Sequence, residues 1–386
     1  MTEKLYYADA YLTSFAAKVT SCCPKGERWA VTLDRTAFYP EGGGQPWDTG
    51  MLGDAKVLEV FDRGEEVEHI LDKPLLEGGQ VQGQVDWKRR FDFMQGHTGE
   101  HILSGMIHRL YKLDNVGFHM GHDAISIDVN GELTPEQIRT AEDLTNEIIY
   151  KNLPVEVLYP TAEELETLEY RSKKELSGQV RIIRIPDGDV CACCGLHVKT
   201  TGEAGLVKVL TFQRYKGGMR IFLLCGRQAM KDYCQKNDDI YAIGELLCAK
   251  AGETTDAVRR MLEENNRLKH TLAGVQNQLL DLKAQQVIQG ARNILRFEQG
   301  LAPDAIRRYC LLLSEKCDGV AAVFCGSDRD GYKYALAGKE TDVRPLGGKL
   351  NKAFGGRGGG SPLLVQGSLI GEKEKIQAFF VNVMEE

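Results

Sequence analysis

From Glu253 to Val287 the chain runs without a proline, and its apolar residues advance by alternating steps of three and four: Val258, Met261, Asn265, Leu268, Leu272, Val275, Leu279 and Leu282. That is the a/d seam of a heptad repeat, with one asparagine at an a position. So narrow an apolar stripe does not hold an isolated helix in water, so the segment needs a partner, either a second copy of the chain or the adjacent domain. It also divides the 386 residues into a longer part before it and a shorter part after it. A chain of this length is expected to build more than one core.

The first part changes period once. Up to about residue 85, short β-rich stretches (Leu5–Leu12, Trp29–Leu33, Val57–Phe61, Val67–Leu71, Val81–Val85) are separated by glycine turns such as Glu77-Gly78-Gly79, the pattern of a small barrel. At Asp86 the spacing becomes helical, with Asp86 as cap and Trp87, Phe91, Met94, Ile102, Met106 and Leu110 on the apolar positions. Residues 122–129 read as a strand. A second helix follows Thr134 as N-cap and Pro135 at the first turn. Strand-like Val155–Tyr159, Val180–Ile185 and Leu206–Phe212 complete an α+β block. The last block, 295–386, alternates helix and strand and ends in a stretch with eight glycines between 347 and 367, more than packing alone suggests. The expectation is therefore an α+β protein: a barrel over 1–85, an α+β core over 86–240, a helical connector over 241–294 that forms a coiled-coil stalk, and a C-terminal α/β domain over 295–386.

Composition excludes some classes. With 42% hydrophobic and 27% charged residues the chain reads as globular. No apolar run approaches the ~18 residues of a membrane span, and the first residues lack a signal-peptide pattern. Eleven cysteines, an odd number, fit reduced thiols in a cytoplasmic setting better than a disulfide framework. The net charge of −7 does not advertise a nucleic-acid binder, yet local basic stretches exist at Lys88-Arg89-Arg90, Lys208 to Arg220 and Arg344 to Arg357.

Two pairs carry the chemistry. His97 and His101 stand four apart on the helix that Asp86 opens, hence on one face. Cys193 and His197 repeat the spacing on a glycine-containing loop, with Cys191 and Cys194 close enough to leave the sulfur ligand open. Imidazole and thiolate are the donors that zinc prefers. Four protein ligands would close a site that catalytic zinc keeps partly open, and the residues alone do not resolve that tension. HTGEH is not HExxH, so a metallopeptidase is excluded, and no GKS/T ending supports a nucleotide loop.

Three motifs then occur in order: TAFYPEGGGQPWDTG (36–50), HTGEH (97–101) and CCGLHV (193–198). They resemble the signatures of the alanyl-tRNA synthetase editing domain and its free-standing relatives, the AlaX-type alanyl-tRNA editing proteins. GGRGGGSPLLVQG (355–367) looks like the glycine-rich motif of the synthetase's C-terminal, DHH-associated domain, so the arrangement resembles the long AlaX form. The resemblance implies a zinc-dependent hydrolase that removes serine, and sometimes glycine, from alanine tRNA. It implies Zn²⁺ held by His97, His101, Cys193 and His197, and a substrate pocket with Gly43, Gly44 and Gln45, where the Thr36 hydroxyl reads serine. Glu100 is left as an outer-shell or general-base candidate. Lys349, Lys352, Arg357, Gly358 and Gly359 are candidates for gripping tRNA phosphate, a role that competes with dimerisation through the same domain or through 253–287. The chain departs from the usual loop at Cys194, where glycine is common, and at Leu196, where threonine is common. Two other functions stay open: an inactive tRNA- or synthetase-binding descendant, and a deacylase of another aminoacyl-tRNA.

Overall fold

The structure is a computed structural model that describes residues 1–121, 123–172 and 180–385. The chain divides into two compact units, Met1–Ile240 and Tyr241–Glu386.

The first unit begins with a closed antiparallel barrel whose neighbours run Ser14–Lys25, Arg28–Leu33, Val67–Leu71, Ala55–Asp62, Gly50–Leu52 and Gln80–Val85. Alternation places Phe15, Ala17 and Val19 inside with Val31, Leu33, Leu71 and Val85. The strand expected over Leu5–Leu12 is instead a single helical turn, Leu5–Ala8. It sets Tyr6 edge-on to both Tyr7 and Tyr39, packing that outweighs the β propensity of tyrosine.

Asp86 caps the next helix, Trp87–Tyr111, by accepting from the Arg89 N–H at 3.1 Å. This histidine helix is buried on every side from Met94 to Ile107, which an amphipathic reading does not anticipate. Its glycines explain how. A Cβ on Gly96 would strike Ile125 and Met120 at 2.7 Å, and one on Gly99 would strike Cys225 at 2.6 Å and Val207 at 2.8 Å. Each glycine costs the helix about 1 kcal/mol relative to alanine, offset by the close approach of the sheet. That sheet is antiparallel, in the order Val207–Tyr215, Gly218–Cys225, Ile125–Val129 and Asn115–Met120. The strand expected over 122–129 thus begins at Ile125, and His122 lies outside the described residues. The second helix, Pro135–Tyr150, carries a full capping box between Thr134 and Gln137. A small sheet of Glu156–Leu158, Ile182–Ile185 and Asp189–Ala192 delivers the cysteine loop.

Arg90 ties barrel to core. Its guanidinium is fully buried, pairs with Asp48 and donates to the carbonyls of Ala10, Leu12 and Ala37. The basic run Lys88-Arg89-Arg90 is therefore not an open phosphate surface at Arg90.

In the second unit the seam residues lie on one helix, Thr254–Gln285. Its seam is exposed: Met261, Leu268, Leu272, Val275, Leu279 and Leu282 are all more than half accessible. Its ends are anchored, by buried Thr254 and Ala257 at the start and by Leu280 and Ala284 at the finish, the latter two in a core with Ile306, Tyr309 and Leu313. The helix is present, but the chain does not pair its seam with another element among the described residues, so the coiled coil is not formed within one chain. Beyond it, a five-stranded sheet runs Ile294–Glu298, Val320–Ser327, Gly331–Gly338, Leu364–Leu369 and Arg357–Ser361. The first pair is parallel and the others antiparallel. Ala321 and Val323 face one core while Val320, Ala322 and Phe324 face another, so the sheet is covered on both sides. Several of its glycines turn out to have a packing reason. Cβ atoms on Gly358 and Gly367 would each meet Tyr334 at 2.7 Å, and one on Gly347 would meet Val365 at 2.8 Å. Gly348 and Gly359 face open space.

Candidate metal centre and editing cavity

The helix places His97 and His101 one turn apart, and the loop after Asp189–Ala192 lays Cys193 and His197 against them. One donor atom from each of the four lies within 4.8 Å of every other. Cys193 Sγ is 3.4 Å from His97 Nε2. Tetrahedral zinc sets its donors about 3.3–3.8 Å apart, so the spacing suits an ion after slight contraction. The loop reaches this position because Gly195 has no side chain, since a Cβ there would overlap the His97 ring.

The three rings are oriented alike. His97 Nδ1 is 3.0 Å from Gln45 Oε1, His101 Nδ1 is 2.9 Å from Asp189 Oδ2, and His197 Nδ1 is 3.2 Å from Thr98 Oγ1. With each Nδ1 engaged, each Nε2 is left for the centre. The buried Nε2 of His197 has no hydrogen-bond partner, a costly arrangement unless something else fills the place. A metal ion fits this donor set.

The electrostatics favour ligand forms at Cys193 and His197. At His101, by contrast, burial is outweighed by Cys193 and Asp189, which hold the ring well above its ordinary value, so a metal would have to displace that proton. Burial opposes ionisation of Cys193, but His97 and His101 outweigh it and hold the thiol well below its ordinary range. Burial, then His97, pushes His197 down to about 3, so it is neutral with a free lone pair. Burial raises Cys191 to about 11, and among the described residues Cys191 groups with His101 and Asp189. Between these two sulfurs, Cys193 is the one suited to a ligand role.

A cavity of about 680 Å³ opens on this centre. His97, His101 and Cys193 form its floor, Tyr7, Phe118 and Tyr159 its aromatic walls, and Gly43, Gly44, Arg181 and Cys194 further lining. Phe118 stacks on His97 at 4.9 Å, and Gly44, at a φ of +83°, allows the Phe118 ring to lie against the glycine loop.

Other expected pocket residues lie elsewhere. Gln45 is wholly buried behind His97, where its Oε1 also accepts from the Leu196 N–H at 3.0 Å, so it orients a histidine rather than lining the cavity. Thr36 is wholly buried in the barrel, 2.8 Å from His69 Nε2, and its oxygen accepts from the Phe38 N–H. It is absent from the cavity lining. Glu100 is also buried, accepting from Ser104 Oγ at 2.7 Å and from Asn115 Nδ2 at 2.5 Å. Leu196, in place of the usual threonine, is buried, and the Thr98 oxygen accepts from the Val198 N–H at 3.2 Å, so loop hydrogen bonding does not depend on a hydroxyl there. Lys349, Lys352, Arg357, Gly358 and Gly359 are all exposed, on the helix Arg344–Ala353 and the sheet's edge strand Arg357–Ser361.

The barrel, the α+β core and the His/His/Cys/His cluster stand where the sequence motifs resembling an editing domain of the aminoacyl-tRNA synthetase kind fall. Family models agree: residues 180–221 match the threonyl and alanyl tRNA synthetase second additional domain, and 3–89 match class II (A) tRNA synthetases. The chain is 30% identical to the alanyl-tRNA editing protein AlaX-L of Pyrococcus horikoshii, covering 97% of this chain and 96% of that one. It is 31% identical to the alanyl-tRNA editing protein Aarsd1 of Rattus norvegicus over 67% of this chain and 68% of that one. Against the alanine–tRNA ligase of Pyrobaculum neutrophilum it is 31% identical over 97% of its own length and 44% of the ligase. The chain belongs to the family of alanyl-tRNA editing proteins.

Proposed function

We propose that the chain is a zinc-dependent deacylase that cleaves the ester of serine, and of glycine, on alanine tRNA. The observation that carries this reading is the cavity floored by His97, His101 and Cys193, with aromatic walls suited to a terminal nucleoside. Zinc held by His97, His101, Cys193 and His197 would supply Lewis acidity beside the ester. The chain's own residues hold the donors in place, and Tyr7, Phe118 and Tyr159 shelter the ester from bulk solvent. An activated ester needs a placed water and a stabilised oxyanion more than a strong nucleophile. Glu100, tied to Ser104 and Asn115, serves packing behind the centre in this reading rather than proton transfer.

The exposed Lys349, Lys352 and Arg357, beside the open Gly359, would meet tRNA phosphate, and the seam of Thr254–Gln285 would pair two chains. No helix among the described residues is long and apolar enough to cross a membrane; we take the cytoplasm as the working compartment. Side-by-side hydrolysis of alanine tRNA charged with serine, glycine or alanine tests the substrate claim. Serine and glycine released well ahead of alanine is the expected order, since a synthetase pocket separates such small side chains by only about 10²-fold. Equal release of all three, or none, would remove it.

A further inference from the structure

Of the three residues behind the histidines, only Asp189 is charged, and it is itself gripped. Arg171 Nε donates to Asp189 Oδ1 and Arg171 Nη2 to Oδ2, both at 2.8 Å, while Oδ2 also faces His101 Nδ1 at 2.9 Å. The Asp189 side chain is 2% accessible and that of Arg171 14%. The Arg171 backbone is fastened to the same strand, its N–H to the Val190 carbonyl at 2.8 Å and its carbonyl to the Ala192 N–H at 2.9 Å. Arginine, carboxylate and imidazole therefore form one rigid line on the strand that continues into Cys193. A second feature serves this line. Gly105 stands one turn beyond His101, and a Cβ there would sit 2.9 Å from Asp189 Cβ and collide with the Gly188 carbonyl. Only glycine lets the helix approach the strand this closely.

We infer that Asp189, locked by Arg171 and admitted by Gly105, is the positioning residue that fixes the tautomer and angle of His101 so that Nε2 points to the metal. This rests on the metal reading above and adds the device that aims one ligand. A carboxylate clamped on both oxygens cannot swing to the metal itself, and it keeps the proton on Nδ1. Gln45 and Thr98, being neutral, orient their rings without that charge. Asp189→Asn breaks the line in a definite way. With the amide nitrogen in the Oδ1 place, donor meets donor at Arg171 Nε; in the Oδ2 place it meets Arg171 Nη2 and also forces His101 to carry its proton on Nε2, where the ring cannot bind metal. Arg171→Gln in the same chain restores an acceptor, because the glutamine carbonyl oxygen can stand where the Arg171 Nε stood.

The test uses the full-length chain, with zinc affinity read by chelator competition, the visible spectrum of the Co²⁺-loaded protein, and the melting of the chelated protein as a fold control. Asp189→Asn is expected to lose 10–100-fold in zinc affinity and to shift the Co²⁺ bands. Arg171→Gln/Asp189→Asn is expected to recover most of both. Gly105→Ala, which touches no ligand, is expected to weaken zinc as well. Wild-type affinity and spectrum in Asp189→Asn would overturn the inference, as would a double variant no better than the single one. If the single variant does not fold, a folded double variant that holds no zinc overturns it equally. Wild-type protein that retains no zinc would instead remove the metal reading itself, a result distinct from an indifferent Asp189→Asn.

Discussion

His69 is wholly buried in the barrel, with Nδ1 3.2 Å from the Val31 carbonyl and Nε2 2.8 Å from the Thr36 hydroxyl. Burial lowers its pKa from 6.5 to about 4. The unfolded chain takes up this proton near pH 6.5 while the folded chain resists it until about 4, so stability falls as pH drops through that window. In full the loss is about 3 kcal/mol, and His69→Gln should flatten this part of a pH-melting curve; an unchanged acid limb would assign acid lability to other groups. The same geometry sets the outcome for Thr36. Thr36→Val leaves His69 Nε2 unpaired and should cost about 1–3 kcal/mol of stability, with serine and glycine esters slowed in the same proportion. Selective loss of serine hydrolysis would restore the hydroxyl-reading role that the resemblance implies. The histidine pair and the Cys193/His197 pair were legible in the sequence because each is four residues apart, but spacing left the sulfur open among Cys191, Cys193 and Cys194, and only the resemblance named Cys193. Their supports were not: Gln45, Asp189 and Thr98 lie 52, 88 and 99 positions from the histidines they orient, and only the fold makes them neighbours.

At the scale of elements, the histidine helix and the cysteine loop depend on what is missing from their surfaces. Gly195→Ala puts a methyl group into the space of the His97 ring, so it should abolish zinc retention although no ligand is changed; full zinc content in that variant would show that the loop can bypass the ring. Periodicity found this helix but could not show that it is enclosed on all sides, because glycines at 96, 99 and 105 read as breakers rather than as contact surfaces. The seam helix shows the reverse. Its spacing was plain in the sequence, yet most of the stripe remains exposed, since no other element among the described residues supplies the matching knobs. Leu268→Glu with Leu272→Glu should therefore leave the melting of a single chain nearly untouched, because both positions are already open. Light scattering should show the mass halved if two chains pair along the seam; an unchanged mass would place any dimer contact elsewhere.

For the whole molecule, the division at about Ile240 puts the candidate metal centre in one unit and the exposed Lys349, Lys352 and Arg357 in the other. A chain ending after Lys250 keeps the four ligands and the cavity lining. If Lys349, Lys352 and Arg357 contact phosphate, that truncation should raise KM for charged tRNA, leave kcat largely intact, and reduce the slope of log affinity against log salt by about 2–3. Identical KM and salt slope would leave that unit without a tRNA role. The central claim, that a metal held by His97, His101, Cys193 and His197 is needed to hydrolyse the ester, is tested most directly by one titration. Serine release from serine-charged alanine tRNA is followed for full-length protein as purified, after chelation, and as zinc is returned. The account predicts release that disappears with the metal and recovers in proportion to zinc, reaching its plateau at about one zinc per chain, with no recovery in Cys193→Ala. Undiminished release from fully zinc-free protein would contradict it.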